Sequence, residues 1–540
     1  MNLRKGLMLC RNTKVLAQVI GFWVLVAAAT GVGWSQTGRG TIQGFITDST
    51  GASVPEAKVQ VIQIETNSTL DLATNVEGFY NAPSLPVGNY RVVVTKEGFK
   101  SVSREPIEVG AEVVRRVDFT LTAGDVVEAV TVTAEAPILD VSTAASPTSV
   151  DSEVVESLPI ISLGAKRNIT QLLVNVPGLT SYDPNNRESA TWQPKMYGSA
   201  SGHTEAFIDG GPGAGISTGR GALEEVGPSI EMVGEFSVVT NAFNAEYGGF
   251  GSWFTNVTIK SGTNEVHGSF FDHYSNNALN ARSFFQPKLT HGNQNEGGVT
   301  LGGPVYLPKI YDGRNKTFFF VSEGLYFTRN GPSLDLRTVP TAAFKQGDFR
   351  ELVNAAGAQI PIFDPRTTRP DGSGSYVRDP YPDNIIPPSQ ISSVAKKIVA
   401  FMPDPDIPGQ ITQNFYSRAF SGKLWPYFNN YVTTAKVDHN VSTKQKLSVT
   451  YMNQIRHRQL QGENVGWFTR IPWGSEQTNP LDFITFQEAN SWKARVNHDY
   501  IFSPSVLNHV TVSVDRYVNL GQNATNGGGW LDRLGLTGIP

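Results

Sequence analysis

In Trp492-Lys493-Ala494-Arg495-Val496-Asn497-His498-Asp499-Tyr500, the side chains Trp492, Ala494, Val496 and Tyr500 alternate with Lys493, Arg495, Asn497 and Asp499. A period of two is that of a β-strand, whose successive side chains point to opposite faces. One face here is apolar and the other charged. Upstream, Tyr431, Thr433, Ala435 and Val437 oppose Thr434, Lys436 and Asp438, and after a turn Leu447, Val449 and Tyr451 oppose Lys446, Ser448 and Thr450. Beyond a turn near Ser503-Pro504, Val510, Val512 and Val514 alternate with Thr511, Ser513 and Asp515. Apolar outward with charge inward is what a membrane barrel with a wet interior requires, because lipid admits only closed sheets with every backbone group paired. A soluble sandwich can alternate in the same way. Aromatic residues at strand ends (Trp492, Tyr500, Phe502 and Tyr517) and the recurring inward charge favour the barrel.

Composition fits a β-rich chain of several units. At 540 residues it is too long for one core. Hydrophobic residues make up 39% and charged residues 17%, and the mean hydropathy of -0.20 is too polar for a bundle of membrane helices. The 53 Gly and 32 Pro imply many turns. A formal net charge of -4 gives no strongly basic surface for phosphate, so nucleic acid is not expected as a partner.

Arg4, Lys5, Arg11 and Lys14 precede an apolar run from Val15 to Ala29, followed by small residues at Gly31 and Gly33. This is the layout of a secretory signal peptide, expected over residues 1–35 with cleavage near Ser35-Gln36. A single uncleaved membrane anchor is the alternative. Cys10, the one cysteine, lies in this segment, so neither a disulfide nor a thiolate is expected in the mature chain.

Residues 36–123 read as a small β-sandwich. Runs such as Val59-Gln60-Val61, Tyr90-Arg91-Val92-Val93-Val94 and Val117-Asp118-Phe119-Thr120-Leu121 alternate with turns at Gly51, Pro55, Asn75 to Gly78, Pro86 to Asn89 and Gly98. Gly44 to Asp48 with Gly51, Thr74-Asn75-Val76-Glu77-Gly78-Phe79-Tyr80, Leu85-Pro86-Val87-Gly88-Asn89-Tyr90 and Gly98-Phe99 resemble the carboxypeptidase regulatory-like domain family. The resemblance implies a non-catalytic sandwich, and the 8 histidines include no His-Glu-x-x-His. No enzyme activity, metal or other cofactor is expected.

Residues 124–150 read as a β-prone strand, Val126, Val127, Glu128, Ala129, Val130, Thr131 and Val132, in a flexible Ala/Ser/Thr-rich linker. Such a strand can add to the edge of a partner's sheet through backbone hydrogen bonds. The plainer alternative is one more sandwich strand. From Asp151 to Gly178, apolar residues from Val154 to Val176 recur at mixed spacing, as in short helices and loops. Residues 202–262 then turn glycine-rich with short strands.

Ala206-Phe207-Ile208-Asp209-Gly210, Pro228-Ser229-Ile230 through Glu235-Phe236, Asn244-Ala245-Glu246-Tyr247-Gly248 and Thr258-Ile259-Lys260-Ser261-Gly262-Thr263-Asn264 are similar to the plug domain of TonB-dependent receptors, most closely the Oar-like branch. Glu296-Gly297-Gly298-Val299-Thr300-Leu301-Gly302-Gly303-Pro304-Val305 and Asn315-Lys316-Thr317-Phe318-Phe319-Phe320 resemble the early barrel of that branch. The resemblance implies a mainly β protein: an α+β plug over residues 151–262, an antiparallel transmembrane β-barrel over 263–540, and a receptor in outer-membrane lipid that imports a bulky ligand. It also implies a TonB box just before the plug, which favours the partner-strand reading of Val126 to Val132. TonB with ExbB and ExbD are the partners it implies. The ligand and its contacts are not legible; Gly210 to Gly221 is a candidate plug apex or an ordinary loop, and its spacing fits no phosphate-binding motif.

Barrel strands take roughly 9 to 11 residues each, and plugged transporters have about 22 of them. With Pro332 to Ser417 reading as a long extracellular loop, residues 263–540 are expected to supply less than half a barrel, as in a C-terminally truncated fragment. Two rivals stand beside this reading. One is a secreted adhesion or carbohydrate-binding protein of β-sandwiches, with soluble two-layer folding after Asn264. The other is an exported zinc carboxypeptidase, for which His203, His267, His273 and His291 are scattered and read better as loop or girdle residues.

Overall fold

The computed structural model describes residues 39–124, 129–133 and 146–151, shorter segments between 154 and 240 (chiefly 204–213 and 227–240), and most residues from 253 to 536 apart from stretches such as 331–336, 406–415, 418–426 and 462–483. The expected signal peptide over residues 1–35 lies outside the described residues.

The first unit comprises β1 (Gly40–Asp48), β2 (Lys58–Gln63), β3 (Thr69–Ala73), β4 (Phe79–Leu85), β5 (Gly88–Thr95), β6 (Ser101–Val109), β7 (Val114–Arg116) and β8 (Phe119–Leu121). One sheet runs β4-β1-β7, with β8 also pairing β1; the other runs β3-β2-β5-β6 and continues to β9 (Ala129–Thr133). Alternation produces the core between them: Ile42 and Ile46 of β1 meet Val59 and Val61 of β2 and Tyr90, Val92 and Val94 of β5. The buried Tyr90 hydroxyl donates to the Pro86 carbonyl at 2.7 Å, a lock of the tyrosine-corner kind. Tyr80 donates to the Val117 carbonyl, also at 2.7 Å. Burial pushes both phenols well above their ordinary pKa.

The plug sheet follows the order β10-β13-β14-β11-β12, from β10 (Ser146–Asp151), β11 (Thr204–Ile208), β12 (Gly211–Pro212), β13 (Val233–Thr240) and β14 (Trp253–Ile259). Ser146 to Val150 fall within the expected linker of residues 124–150. They are instead the start of an edge strand, Thr148 pairing with Val238 and Val150 with Phe236, because β13 offers an open edge and β-branched residues suit an extended backbone.

The wall begins with β15 (His267–Asn276) and β16 (Gly292–Pro304), then a small hairpin of β17 (Tyr306–Leu307) and β18 (Tyr311–Asp312), then β19 (Thr317–Asn330). A long excursion follows, with β20 (Arg337–Thr338), β21 (Arg369–Pro370), β22 (Tyr376–Val377) and β23 (Tyr416–Ser417). The wall resumes with β24 (Tyr427–Ser442), β25 (Gln445–Gln461), β26 (Ile484–Ser503), β27 (Val506–Arg516) and β28 (Asn519–Asn523). Its order is β15-β16-β19-β24-β25-β26-β27, with β28 also on β26, and neighbours along it are antiparallel. Residues 305–316, 443–444 and 504–505 connect strands at one end, whereas the longer 277–291, 331–426 and 462–483 do so at the other. Short connections mark the periplasmic end of such barrels and long loops the outside.

The two faces of the wall meet different surroundings. Val437, Val449, Tyr451, Val496, Val510 and Val514 are 37–43% exposed on the outer face, while Thr434, Lys436, Thr450, Lys493, Arg495 and Asn497 are buried on the inner one. A soluble sandwich would reverse this, so the outward apolar face decides for the barrel.

Candidate functional site

Asp209 and Gly210 form the two-residue turn of the β11–β12 hairpin, in which Ile208 pairs with Gly211. Their φ angles are 48° and 78°, the left-handed conformation that an Asp-Gly turn adopts readily. The turn aims the Asp209 carboxylate at the wall. Its Oδ2 lies 3.3 Å from Lys436 Nζ, with both side chains more than nine-tenths buried, and accepts from Thr450 Oγ1 at 2.9 Å. Oδ1 accepts from the Ile259 N–H at 2.9 Å, and Lys436 donates in turn to the Ile259 carbonyl at 3.0 Å. One carboxylate thus ties the hairpin, β14 and the barrel together.

Beside it, the Arg495 guanidinium donates to the carbonyls of Ile208 and Pro212, Lys493 to the Gly213 carbonyl at 2.9 Å, and Asn497 to the Asp209 carbonyl at 3.2 Å. Gly211 makes the approach possible, since a Cβ there would run into the Arg495 guanidinium. A second fastening joins plug and wall at Arg167, 3.3 Å from Glu231 of the plug and 3.3 Å from the buried Glu296 of β16. Phe320, Val432 and Met452 of the wall join the plug's apolar core.

The sandwich sits at the end carrying the short connections. Asp499 of β26 is 2.7 Å from Arg39 Nη1, accepts from Ser84 Oγ at 2.7 Å, and faces His509 Nδ1 at 2.5 Å. Glu235 of the plug accepts from the Ala111 N–H at 2.8 Å, and Ile501 and Leu507 pack against the sandwich core. A cavity of about 750 Å³ lies where the three units meet, lined among others by Arg39, Glu65, Asp209, Glu235, Lys260, Lys436 and His509.

Of the partner-strand residues read from the sequence, Val126, Val127 and Glu128 lie outside the described residues. Ala129, Val130, Thr131 and Val132 form most of β9 and pair in parallel with Ser101, Val102, Ser103 and Arg104 of β6. Their place in this structure is therefore that of an added edge strand of the sandwich. Of the candidate apex, Gly210 to Gly213 lies against the wall through Lys493 and Arg495, and residues 214–221 lie outside the described ones. Among the described residues no group of three His, Cys, Asp or Glu side chains is placed to hold a metal.

Sequence reasoning missed the fastening itself. The Asp209-Gly210 turn and the inward position of Lys436 were both legible, but nothing in the sequence joined them, and Arg167 carried no signal at all.

Residues 258–540 match the family described as outer membrane beta barrel domain, and residues 41–122 match the carboxypeptidase regulatory-like domain. The TonB-dependent transporter Oar of Myxococcus xanthus is 27% identical over 301 residues, covering 54% of this chain and 27% of that relative, so the match spans about a quarter of Oar. Similar solved structures include the ferric enterobactin receptor PfeA of Pseudomonas aeruginosa, at 12% identity and a TM-score of 0.37 over 70% of this chain and 42% of that one. The outer membrane transporter YddB of Escherichia coli matches at 11% identity and a TM-score of 0.39 over 70% of this chain and 39% of that one. With an outward apolar wall, a polar inner face and the two family matches, the chain belongs to the outer membrane β-barrel family, carries a carboxypeptidase regulatory-like domain at its N-terminal side, and is similar in sequence to the TonB-dependent transporter Oar.

Proposed function

We propose that this chain acts in a TonB-dependent outer-membrane receptor that binds a bulky ligand at the cell surface and imports it with energy from TonB, ExbB and ExbD. The observation that carries the reading is the plug seated against the inner wall by Asp209–Lys436 and Arg167–Glu296. A domain fastened inside a barrel blocks passage, and buried ion pairs hold it there until work is done on it. Work from the periplasmic side requires a handle between sandwich and plug, and Val126 to Val132 supply it as the TonB box. Residues 1–35 serve as the export signal, 36–123 as the regulatory-like sandwich, 124–145 as TonB box and linker, 146–262 as plug with β10 at its sheet edge, and 263–540 as barrel.

Because backbone pairing carries strand addition, strand-forming ability matters more than side-chain identity in that handle. The test uses the full chain in detergent and the immobilised periplasmic domain of TonB. Val130→Pro removes an N–H and fixes φ, and is expected to lower capture at least tenfold, whereas Val130→Ile leaves it unchanged. Equal capture of the proline variant and the parent chain would overturn the assignment.

A further inference from the structure

The strand β9 joins the sandwich in a way that sets it apart from its neighbours. The pairings of β2 with β3, β2 with β5 and β5 with β6 are antiparallel, while β9 lies parallel on β6, from Ser101 opposite Ala129 to Glu105 opposite Thr133. A parallel partner must arrive by a crossover. Here the chain leaves β6 at Val109, passes through β7 and β8 in the opposite sheet, and returns to the β6 edge. Among the described residues β9 is the outermost strand of its sheet.

That strand contains Ala129, Val130, Thr131 and Val132, four of the residues proposed above as the handle. Only residues 134–145 separate it from β10 at the edge of the plug sheet, a tether that spans at most about 40 Å when extended. The segment is thus paired on its N-terminal side with one domain and tied on its C-terminal side to another. Backbone groups that face β6 are satisfied there, and a partner that adds to the same edge of β9 must displace β6.

We propose that the β6 edge of the sandwich is a storage site for the partner strand, and that the energy-transducing partner takes residues 129–132 by exchange with β6. The inference rests on the TonB-box reading. Stored, the strand has its β6-facing edge closed to partners; released, it hands any pull through residues 134–145 to the plug. The sandwich thereby sets how readily the handle is taken, a role distinct from contact with the transported ligand.

The test is the full chain carrying Cys10→Ser, Ser103→Cys and Thr131→Cys, since positions 103 and 131 are register partners. Under mild oxidation in membranes the pair is expected to cross-link. The oxidised chain should capture the periplasmic domain of TonB at least tenfold less than the same chain after reduction. Failure to cross-link overturns the storage of the strand on β6. Cross-linking with equal capture before and after reduction overturns the exchange. Absence of capture by the parent chain and by the reduced variant overturns the TonB-box reading and the exchange with it, and the cross-link, which needs no partner, tells that failure apart from the first.

Discussion

Asp209 shows how one residue can be legible in type and hidden in role. Its turn could be read from Asp209-Gly210, because an Asp-Gly pair between β-prone runs is a strong hairpin signal. Its partner could not, because Lys436 lies 227 residues further along, and a period of two says which face a side chain takes but not whom it meets. The pairing makes a sharp prediction. Asp209→Asn keeps a side chain that tolerates the left-handed conformation, but leaves Lys436 buried without its counter-charge. Breaking a buried pair from one side costs about 3 kcal/mol, so the denaturant midpoint of the full chain in detergent should fall. Lys436→Met in the same chain should recover much of the loss, because the stranded charge is then gone. An unchanged midpoint for Asp209→Asn would show that the contact does not hold the plug.

At the scale of elements, the long wall strands were legible because each has lipid on one side and polar groups on the other, which forces a strict alternation. The strand β10 was not, since its Ser and Thr residues fit a linker as well as an edge, and only the open side of β13 selects between them. The outer excursion shows a third situation, where local chemistry shapes a loop without any periodic pattern. There, Asp348 and Asp364 each accept the backbone N–H of the arginine two residues on and pair with its guanidinium, a turn closed by its own side chains. The Arg366 guanidinium beside Asp364 holds that carboxyl down at about 2. A carboxyl with a depressed folded pKa adds stability that is present above its unfolded value of about 3.9 and lost as pH falls toward the folded one. Protection of the amides of residues 364–368, taken relative to an unstructured chain at the same pH, should therefore hold down to about pH 4 and fall between about 4 and 2. Asp364→Asn should show fast exchange already at neutral pH; slow exchange in that variant would mean that the pair does not order the loop.

For the whole molecule, the seating of the sandwich on the barrel rim was the least legible feature, because it is made by residues as far apart as Ser84 and Asp499, separated by 415 positions. Each is an ordinary polar residue of its own strand. Where they meet, Asp499 is 5% exposed and holds Arg39 and Ser84 of the sandwich as well as His509 of the next wall strand. The junction also includes the apolar contact of Ile501 and Leu507 with the sandwich core and the Ala111–Glu235 hydrogen bond to the plug. These contacts differ in what a single substitution can reach. Asp499→Asn leaves the apolar contact and the sandwich interior intact but strands Arg39 at a nearly closed interface, a loss of about 2 kcal/mol that favours undocking roughly thirtyfold. Hydrogen exchange on the full chain can separate the two levels. Amides of residues 84–87 and 110–113, which face the rim and plug, should exchange faster in the variant, while those of β2 and β5 inside the sandwich keep their protection. Faster exchange in both sets would mean that Asp499 stabilises the domain itself, and no change in either would mean that the apolar contact alone holds the sandwich over the mouth of the barrel.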